Sequence, residues 1–264
     1  MSQCGGSGPL TSVPEPAERF SDRVGDYLRY RPRYPDALIP VLEEETGLAP
    51  EWGVADVGSG TGFSAEPFLD HGNVVFAVEP NGEMRRAAEE RLGDRPGFRS
   101  VAGSAEATGL EGGSVDLVAA GQAFHWFDLE TTREEWIRIL RPPRWVVLVW
   151  NTRRLTGSGF LEGYEALLRE FGTDYQEVRH DRMEPGALEA FFGGPVRRRT
   201  LPHRQVLGYE GLEGRLRSTS YVPSPGHGNH QAMLGALQKL FGEHQMGGRV
   251  TMEYETEIYT GRLQ

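Results

Sequence analysis

Apolar runs of four to six residues recur along the first part of the chain, most of them followed by a stretch of helical spacing. Val54–Val57, Val74–Val78, Phe98–Ala102, Val115–Ala120 and Trp145–Trp150 read as strands, and the last is apolar throughout, as a strand covered on both faces should be. Leu38, Ile39, Val41 and Leu42 predict a helix entered from Pro35-Asp36 and stopped by Gly47. Residues 63–71 read as a second helix, with Pro67 in its first turn, where a missing N–H costs little. Asn81 can cap a third helix through Leu92, and residues 130–140 space Trp136, Ile137 and Leu140 as a fourth. Beyond Asn151 the rhythm weakens: helices are expected at 160–171, 209–220 and 229–241, and a strand within 195–207. Residues 250–259 alternate strongly and predict a terminal strand.

Strands alternating with helices predict an α/β chain with a mostly parallel, doubly wound sheet. Right-handed crossovers then bring every strand-to-helix loop to one edge, where open sheets of this kind bind ligands. The GSGTG turn at 58–62, the end of the second strand, the loop after the third and the segment QAFHWFD at 122–128 all fall there.

Composition narrows this picture. A chain of 264 residues with 38% hydrophobic and 25% charged residues is expected to fold as one or two globular domains. We expect one domain over 17–264, with a Gly, Ser and Pro-rich, disordered 1–16. Net charge is 28 − 38 = −10, which disfavours nucleic acid and anionic membrane as partners. The run Arg197-Arg198-Arg199 reads as a solvated strand face. Cys4 is the only cysteine, which excludes an internal disulfide and a thiolate metal cluster. His203, His227, His230 and His244 lack metal-ligand spacing, so no metal is expected. The N-terminal residues lack a signal-peptide pattern, and Trp145–Trp150 is too short to span a bilayer. A cytoplasmic monomer or homodimer is the expectation.

The glycines of Asp56-Val57-Gly58-Ser59-Gly60-Thr61-Gly62 permit a tight turn and close ligand approach. Alone they mark only a strand-to-helix turn. Glu79 stands seventeen residues beyond Gly62, at the end of the second strand, where an acid can accept both ribose hydroxyls of a nucleoside. Together they point to a nucleoside cofactor. The dinucleotide pattern G-x-G-x-x-G would need a third glycine at the position of Phe63. A nicotinamide-dependent oxidoreductase is therefore the alternative reading, as is a non-catalytic cofactor binder.

As a set, DVGSGTG, VFAVEPNGEM, VAGSAEATGL, VDLVAAGQAFHWFD and LRPPRWVVLVWN resemble class I S-adenosylmethionine-dependent methyltransferases. The resemblance is nearest to the small-molecule group that includes the ubiquinone-biosynthesis and trans-aconitate types. It implies a Rossmann-like fold of seven strands with an antiparallel terminal strand. It also implies a cofactor half at 53–151 and a variable substrate side at about 152–248. S-adenosyl-L-methionine would be the cofactor, S-adenosyl-L-homocysteine the product, and a small molecule the methyl acceptor. By the same resemblance Asp56, Gly58, Ser59, Gly60 and Gly62 would hold the methionine end. Glu79 would bind the ribose and Pro80 would pack on the adenine. Ser104, Ala105 and Glu106 would lie beside the adenine, with Ser104 where the family often carries Asp. Gln122 and Ala123 would sit near the sulfonium.

Methyl transfer needs mainly position and desolvation, since the cofactor brings its own leaving group. A protic acceptor also profits from a base, and His125 titrates in the right range. It reads equally as an anchor for its loop. Trp126 and Phe127 read as packing, and Trp136 and Trp150 as core. Tyr27, Tyr30, Arg31, Arg33 and Tyr34 read as a lid, with Tyr27 or Tyr30 beside the methyl group and Arg31 near an acidic acceptor, or else as a helix end solvated by arginines with the tyrosines packed at their rims. Tyr221 and His227 lie in the variable region that shapes the acceptor side.

Overall fold

The computed structural model describes residues 24–173, 175 and 186–264, omitting the side chains of Val24, Asp26 and Tyr27. The expected disorder of 1–16 lies outside the described residues. The first strands are β1 (Gly53–Val57), β2 (Val74–Val78), β3 (Phe98–Val101), β4 (Val115–Gly121) and β5 (Leu140–Arg153). Around them run α1 (Val24–Tyr30), α2 (Leu38–Thr46), α3 (Ala65–His71), α4 (Gly82–Leu92) and α5 (Leu129–Ile139). The remainder forms α6 (Gly159–Phe171), α7 (Ala187–Phe192), β6 (Val196–Leu207), α8 (Tyr209–Arg217), α9 (His230–His244) and β7 (Val250–Arg262). All seven strands join one sheet, in the order β3-β2-β1-β4-β5-β7-β6. The first five are parallel, and β7 is antiparallel to both β5 and β6. The strand order turns at β1 and β4, so their carboxyl ends flank the crevice.

The helix signals act locally. Asn81 accepts from the backbone N–H groups of Glu83 and Met84, and Gly47 ends α2 in the left-handed conformation. Helix α3 begins at Ala65, two residues after the expected start, because Gly62 still belongs to the turn. Strand β5 is longer than its apolar run. Asn151, Thr152 and Arg153 remain paired, opposite Thr256, Glu255 and Tyr254 of β7. That extension is a property of the partner strand, which no local pattern reports. Helices α1 and α7 were likewise not predicted by periodicity.

Successive residues of the central strands feed opposite cores, as the pleat requires. Val54, Leu117 and Val147 join α2, α3 and α4 on one face. Ala55, Val118 and Leu148 join α5 and α7 on the other. A further core collects α6, α8 and α9 with Met252 and Tyr254 of β7. The arginine run lies on the edge strand β6 and is paired rather than merely solvated. Arg197 and Arg199 meet the buried carboxylate of Glu45 at 3.0 and 2.8 Å, and Arg198 pairs with Glu257 on the opposite face. Charge on an edge strand also discourages sheet-to-sheet association.

Candidate active site at the carboxyl edge of the sheet

The turn after β1 is left-handed at every second residue. Gly58, Gly60 and Gly62 have φ of 69°, 55° and 83°, a region that side chains disfavour. Space is a second constraint at Gly58, where an added Cβ would lie 2.6 Å from that of Ala123. The turn thus touches the loop after β4. The N–H groups of Gly58 and Ser59 both donate to Val78 O, at the end of β2, at 2.9 and 3.1 Å. One residue on, Glu79 closes the contact: Gly60 N donates to its Oε2 at 2.9 Å, and Asn81 N to its Oε1 at 2.8 Å. The two elements that the sequence set seventeen residues apart are one hydrogen-bonded unit.

Two carboxylates are buried here. Asp56 is fully buried, and its Oδ2 accepts from Ser64 Oγ at 2.8 Å. Its Oδ1 has no hydrogen-bond partner among the described residues. Burial pushes the Asp56 carboxyl from 3.8 to about 7; the Ser64 hydrogen bond opposes the shift and the charge of Glu79 adds to it. Burial also raises Glu79, against the pull of the Asn81 and Gly60 N–H groups and of Arg85. An orphaned oxygen on a buried acid fits a ligand that brings a cation or a donor.

The loop after β4 departs from its strand through Gln122, whose φ is 61°, a left-handed conformation uncommon for a side-chain residue. Gln122 Nε2 donates to Asn151 O at 3.3 Å. Ala123 lies against Gly58, so both expected neighbours of the sulfonium reach the glycine turn or the end of β5. Phe124–Trp126 form a single 3-10 turn. Phe124 is fully buried between Phe191, Trp136 and Trp150, with the Phe191 centroid at 4.7 Å. Trp136 and Trp150 are core, as expected. Phe127 packs edge-on against Phe124 and Trp136. His125 is half-buried, its ring centroid 4.8 Å from that of Trp126.

The segment after β3 is turned by its own groups. Ser104 Oγ accepts from Ala107 N at 3.2 Å, Ala105 is buried, and Glu106 Oε1 accepts from Asp128 N at 3.1 Å. Glu106 therefore ties its segment to the start of α5, a contact that spacing does not reveal. Pro80 is exposed, and Arg85 donates to its carbonyl and to that of Glu79.

The N-terminal cluster divides. Tyr30 Oη donates to Glu210 at 3.1 Å, its ring occupies the space where Gly214 lacks a side chain, and Arg31 donates to Ser218 O at 2.9 Å. Both residues clasp α8. The side chain of Tyr27 lies outside the described residues. Tyr34 is the residue that meets the sheet edge: its hydroxyl lies over Gly121, next to Ser64. Asn151 holds it in place by donating to Arg33 O at 3.3 Å. Ser64 and Asn151 were not expected as site residues. Each sits in an unremarkable sequence context and acquires its role from a neighbour on another strand. Phe63 fills the place of the missing glycine and lies between two guanidinium groups, Arg33 at 5.0 Å and Arg91 at 4.6 Å from the ring centre.

Residues 55–148 match the family model described as a methyltransferase domain. An uncharacterized methyltransferase-like protein of Schizosaccharomyces pombe is 28% identical over 252 residues, covering 93% of this chain and 95% of that one. An uncharacterized methyltransferase of Mycobacterium bovis is 37% identical over 138 residues, where the match covers 51% of this chain and 52% of the relative. Among solved structures, a provisionally named type II methyltransferase of Anaeromyxobacter dehalogenans is 26% identical, with a TM-score of 0.66 over 89% of this chain and 98% of that one. These likenesses support a methyltransferase domain on a Rossmann-like fold and do not single out the ubiquinone-biosynthesis or trans-aconitate group. Among the described residues no helix is long and apolar enough to cross a membrane.

Two outcomes follow from the site's geometry. Asp56 is protonated in the folded protein between about pH 4 and 7 and ionised in the unfolded chain, so its contribution to stability is complete below about pH 4 and is lost as pH rises through 7. Urea midpoints at pH 5 and pH 8 should therefore lie closer together in Asp56→Asn than in the wild type. Phe124→Ala should cost about 3–5 kcal/mol in urea unfolding, because the vacated space lies among packed rings.

Proposed function

We propose that this chain, with a methyltransferase domain at residues 55–148, transfers a methyl group from S-adenosyl-L-methionine to a small-molecule acceptor and releases S-adenosyl-L-homocysteine. The observation that carries the reading is the junction of Gly60 with Glu79 above the buried, half-satisfied Asp56. It offers a carboxylate to a ribose and a second one to a cationic ligand, side by side at the switch point of the sheet.

In this reading Asp56, Gly58, Ser59, Gly60 and Gly62 receive the methionine end, and Glu79 accepts from the ribose hydroxyls. Pro80, Ser104, Ala105 and Glu106 border the adenine. Because Glu106 is engaged by Asp128 N, the adenine is held there by shape and backbone more than by a free charge. Gln122 and Ala123 border the reacting sulfur. Residues 53–151 form the cofactor half and about 152–248 the acceptor side of one domain. The bound cofactor supplies an electrophilic methyl group and a neutral thioether as leaving group. The protein excludes water and aligns the acceptor; Tyr34 and Asn151 close the edge above Gly121. Tyr30 and Arg31 contribute by seating α1 on α8, and Tyr27 lies on the same helix. His125 stands on the turn beside this edge, where it can take the proton of a hydroxyl or acidic carbon acceptor.

Calorimetry with S-adenosyl-L-homocysteine tests the cofactor. A folded wild-type protein should bind it, and Glu79→Gln should weaken binding about tenfold or more, the value of a hydrogen bond to a charged group. Binding of NADH in its place would return the oxidoreductase reading. Binding without turnover on an acceptor panel would make the chain a non-catalytic binder. Once an acceptor is found, His125→Gln separates base from anchor. Loss of a base lowers kcat by about 100-fold or more and removes its pH dependence, with the melting temperature unchanged. Loss of an anchor lowers the melting temperature and spares the pH profile.

A further inference from the structure

Between α8 and β7 lies a buried cation that pairs with no anion among the described residues. Arg215, in the last turn of α8, is 7% exposed. Its Nε donates to Tyr254 Oη at 3.1 Å, and its Nη1 is buried without a hydrogen bond. Among the described residues no carboxylate pairs with it. The buried acid on α6, Glu165, is already committed: it accepts from Arg153 at 2.6 Å, Arg169 at 2.8 Å and Tyr175 Oη at 2.6 Å. Burial holds the Tyr164 and Tyr175 hydroxyls above their ordinary range, so neither ring supplies a negative charge. Arginine does not shed its proton, and an unpaired buried charge is a large expense to the fold. Arg153 and Glu165 neutralise each other, while Arg169 is 57% exposed. Among the described residues one positive charge is left over inside.

It is linked to the candidate site through β7. Tyr254 and Thr256 lie two residues apart on β7 and so share a face of the sheet. Thr256 Oγ1 donates to Asn151 Oδ1 at 2.6 Å, and Asn151 in turn holds Arg33 beside Tyr34. In the pairing of β5 with β7, Tyr254 stands opposite Arg153, just past Asn151. Tyr254 Oη donates to Gln205 Oε1 at 2.9 Å, which leaves its lone pairs to Arg215. Arg215 is therefore fixed at the carboxyl end of β5, with Tyr164, Tyr254 and Leu216 in the surrounding core.

We propose that Arg215 is the anion-recognition residue of the acceptor pocket, and that the acceptor is a small monocarboxylate with an apolar or aromatic body. The proposal rests on the methyl-transfer reading above for the word acceptor, and on the buried charge alone for the word carboxylate. A guanidinium fork matches a carboxylate in two parallel hydrogen bonds. One uncompensated charge suits a monoanion; a phosphate dianion would need more donors.

The test separates the two readings. Wild type, Arg215→Met and Arg215→Lys are each titrated with S-adenosyl-L-homocysteine, and then, loaded and unloaded, with benzoate, phenylacetate and octanoate. The corresponding amides and inorganic phosphate are the controls. At least one carboxylate should bind the wild type, about tenfold or more tighter than its amide. Arg215→Met should lose that preference, keep its affinity for S-adenosyl-L-homocysteine within about twofold, and melt no lower than the wild type, because the unpaired charge is gone. Arg215→Lys keeps the charge without the fork and should bind the carboxylate about tenfold more weakly; it decides the matter if the Met variant does not fold. The proposal is overturned if no carboxylate binds, if amides or phosphate bind as well as carboxylates, or if the Lys and Met variants bind carboxylates like the wild type. Failure of S-adenosyl-L-homocysteine to bind would instead strike the methyl-transfer reading, while carboxylate binding by the unloaded protein would still report on Arg215.

Discussion

The burial of two carboxylates at the ends of adjacent parallel strands is the constraint around which the rest is arranged. Asp56 and Glu79 are held out of water, and each is shifted toward its neutral form by that burial. What makes this tolerable is backbone. The turn from Gly58 to Gly62 folds tightly enough to aim the Gly60 N–H at Glu79, and Ser64 reaches back to Asp56 from the start of α3. Only part of the demand is met, and the unmet part is one oxygen of Asp56. A fold that leaves a buried acid half-satisfied at a ligand edge keeps a place for a ligand group.

The loop after β4 solves a different problem. It must cross the mouth of the site without a strand to hold it. Phe124 does the holding, as a fully buried ring among Trp136, Trp150 and Phe191. On one side of that anchor Ala123 meets Gly58 of the glycine turn. The strain stored at Gln122 is compatible with this, since its N–H is fixed by Val149 O at 2.9 Å and its side chain by Asn151. Aromatic residues in this loop are thus divided by depth: those that look inward set its position, and His125 keeps a half-buried place beside Trp126.

The region between α8 and β7 repeats the logic with the sign reversed. At the carboxyl edge Asp56 lacks a donor to one oxygen; between α8 and β7 the Arg215 guanidinium has no carboxylate among the described residues. Between them Asn151, at the end of β5, touches Gln122, Arg33 and Thr256. The clasp of Tyr30 and Arg31 on α8 brings the N-terminal helix onto the helix that carries Arg215. The N-terminal cluster therefore meets α8 through Tyr30 and Arg31 as well as the sheet edge through Tyr34.

Much of the frame was legible in the chain itself. Apolar runs, caps at Asn81 and Gly47, and the glycines of 58–62 are local signals, governed by backbone conformation and by short-range burial, so they located six of the seven strands closely and seven of the helices within a few residues. The pairing of a glycine turn with an acid at the next strand end was legible for the same reason: parallel strands of fixed length bring those two points together. The extension of β5, the anchoring depth of Phe124, the Ser64 bond to Asp56, the engagement of Glu106 by α5 and the isolation of Arg215 were not. Each depends on which residue of a distant element arrives within 3 or 4 Å, and on whether water is left there. Sequence determined the strand-to-helix rhythm and the glycine turn because those need only neighbours along the chain; the tertiary structure alone decided which polar groups would be buried with partners and which without.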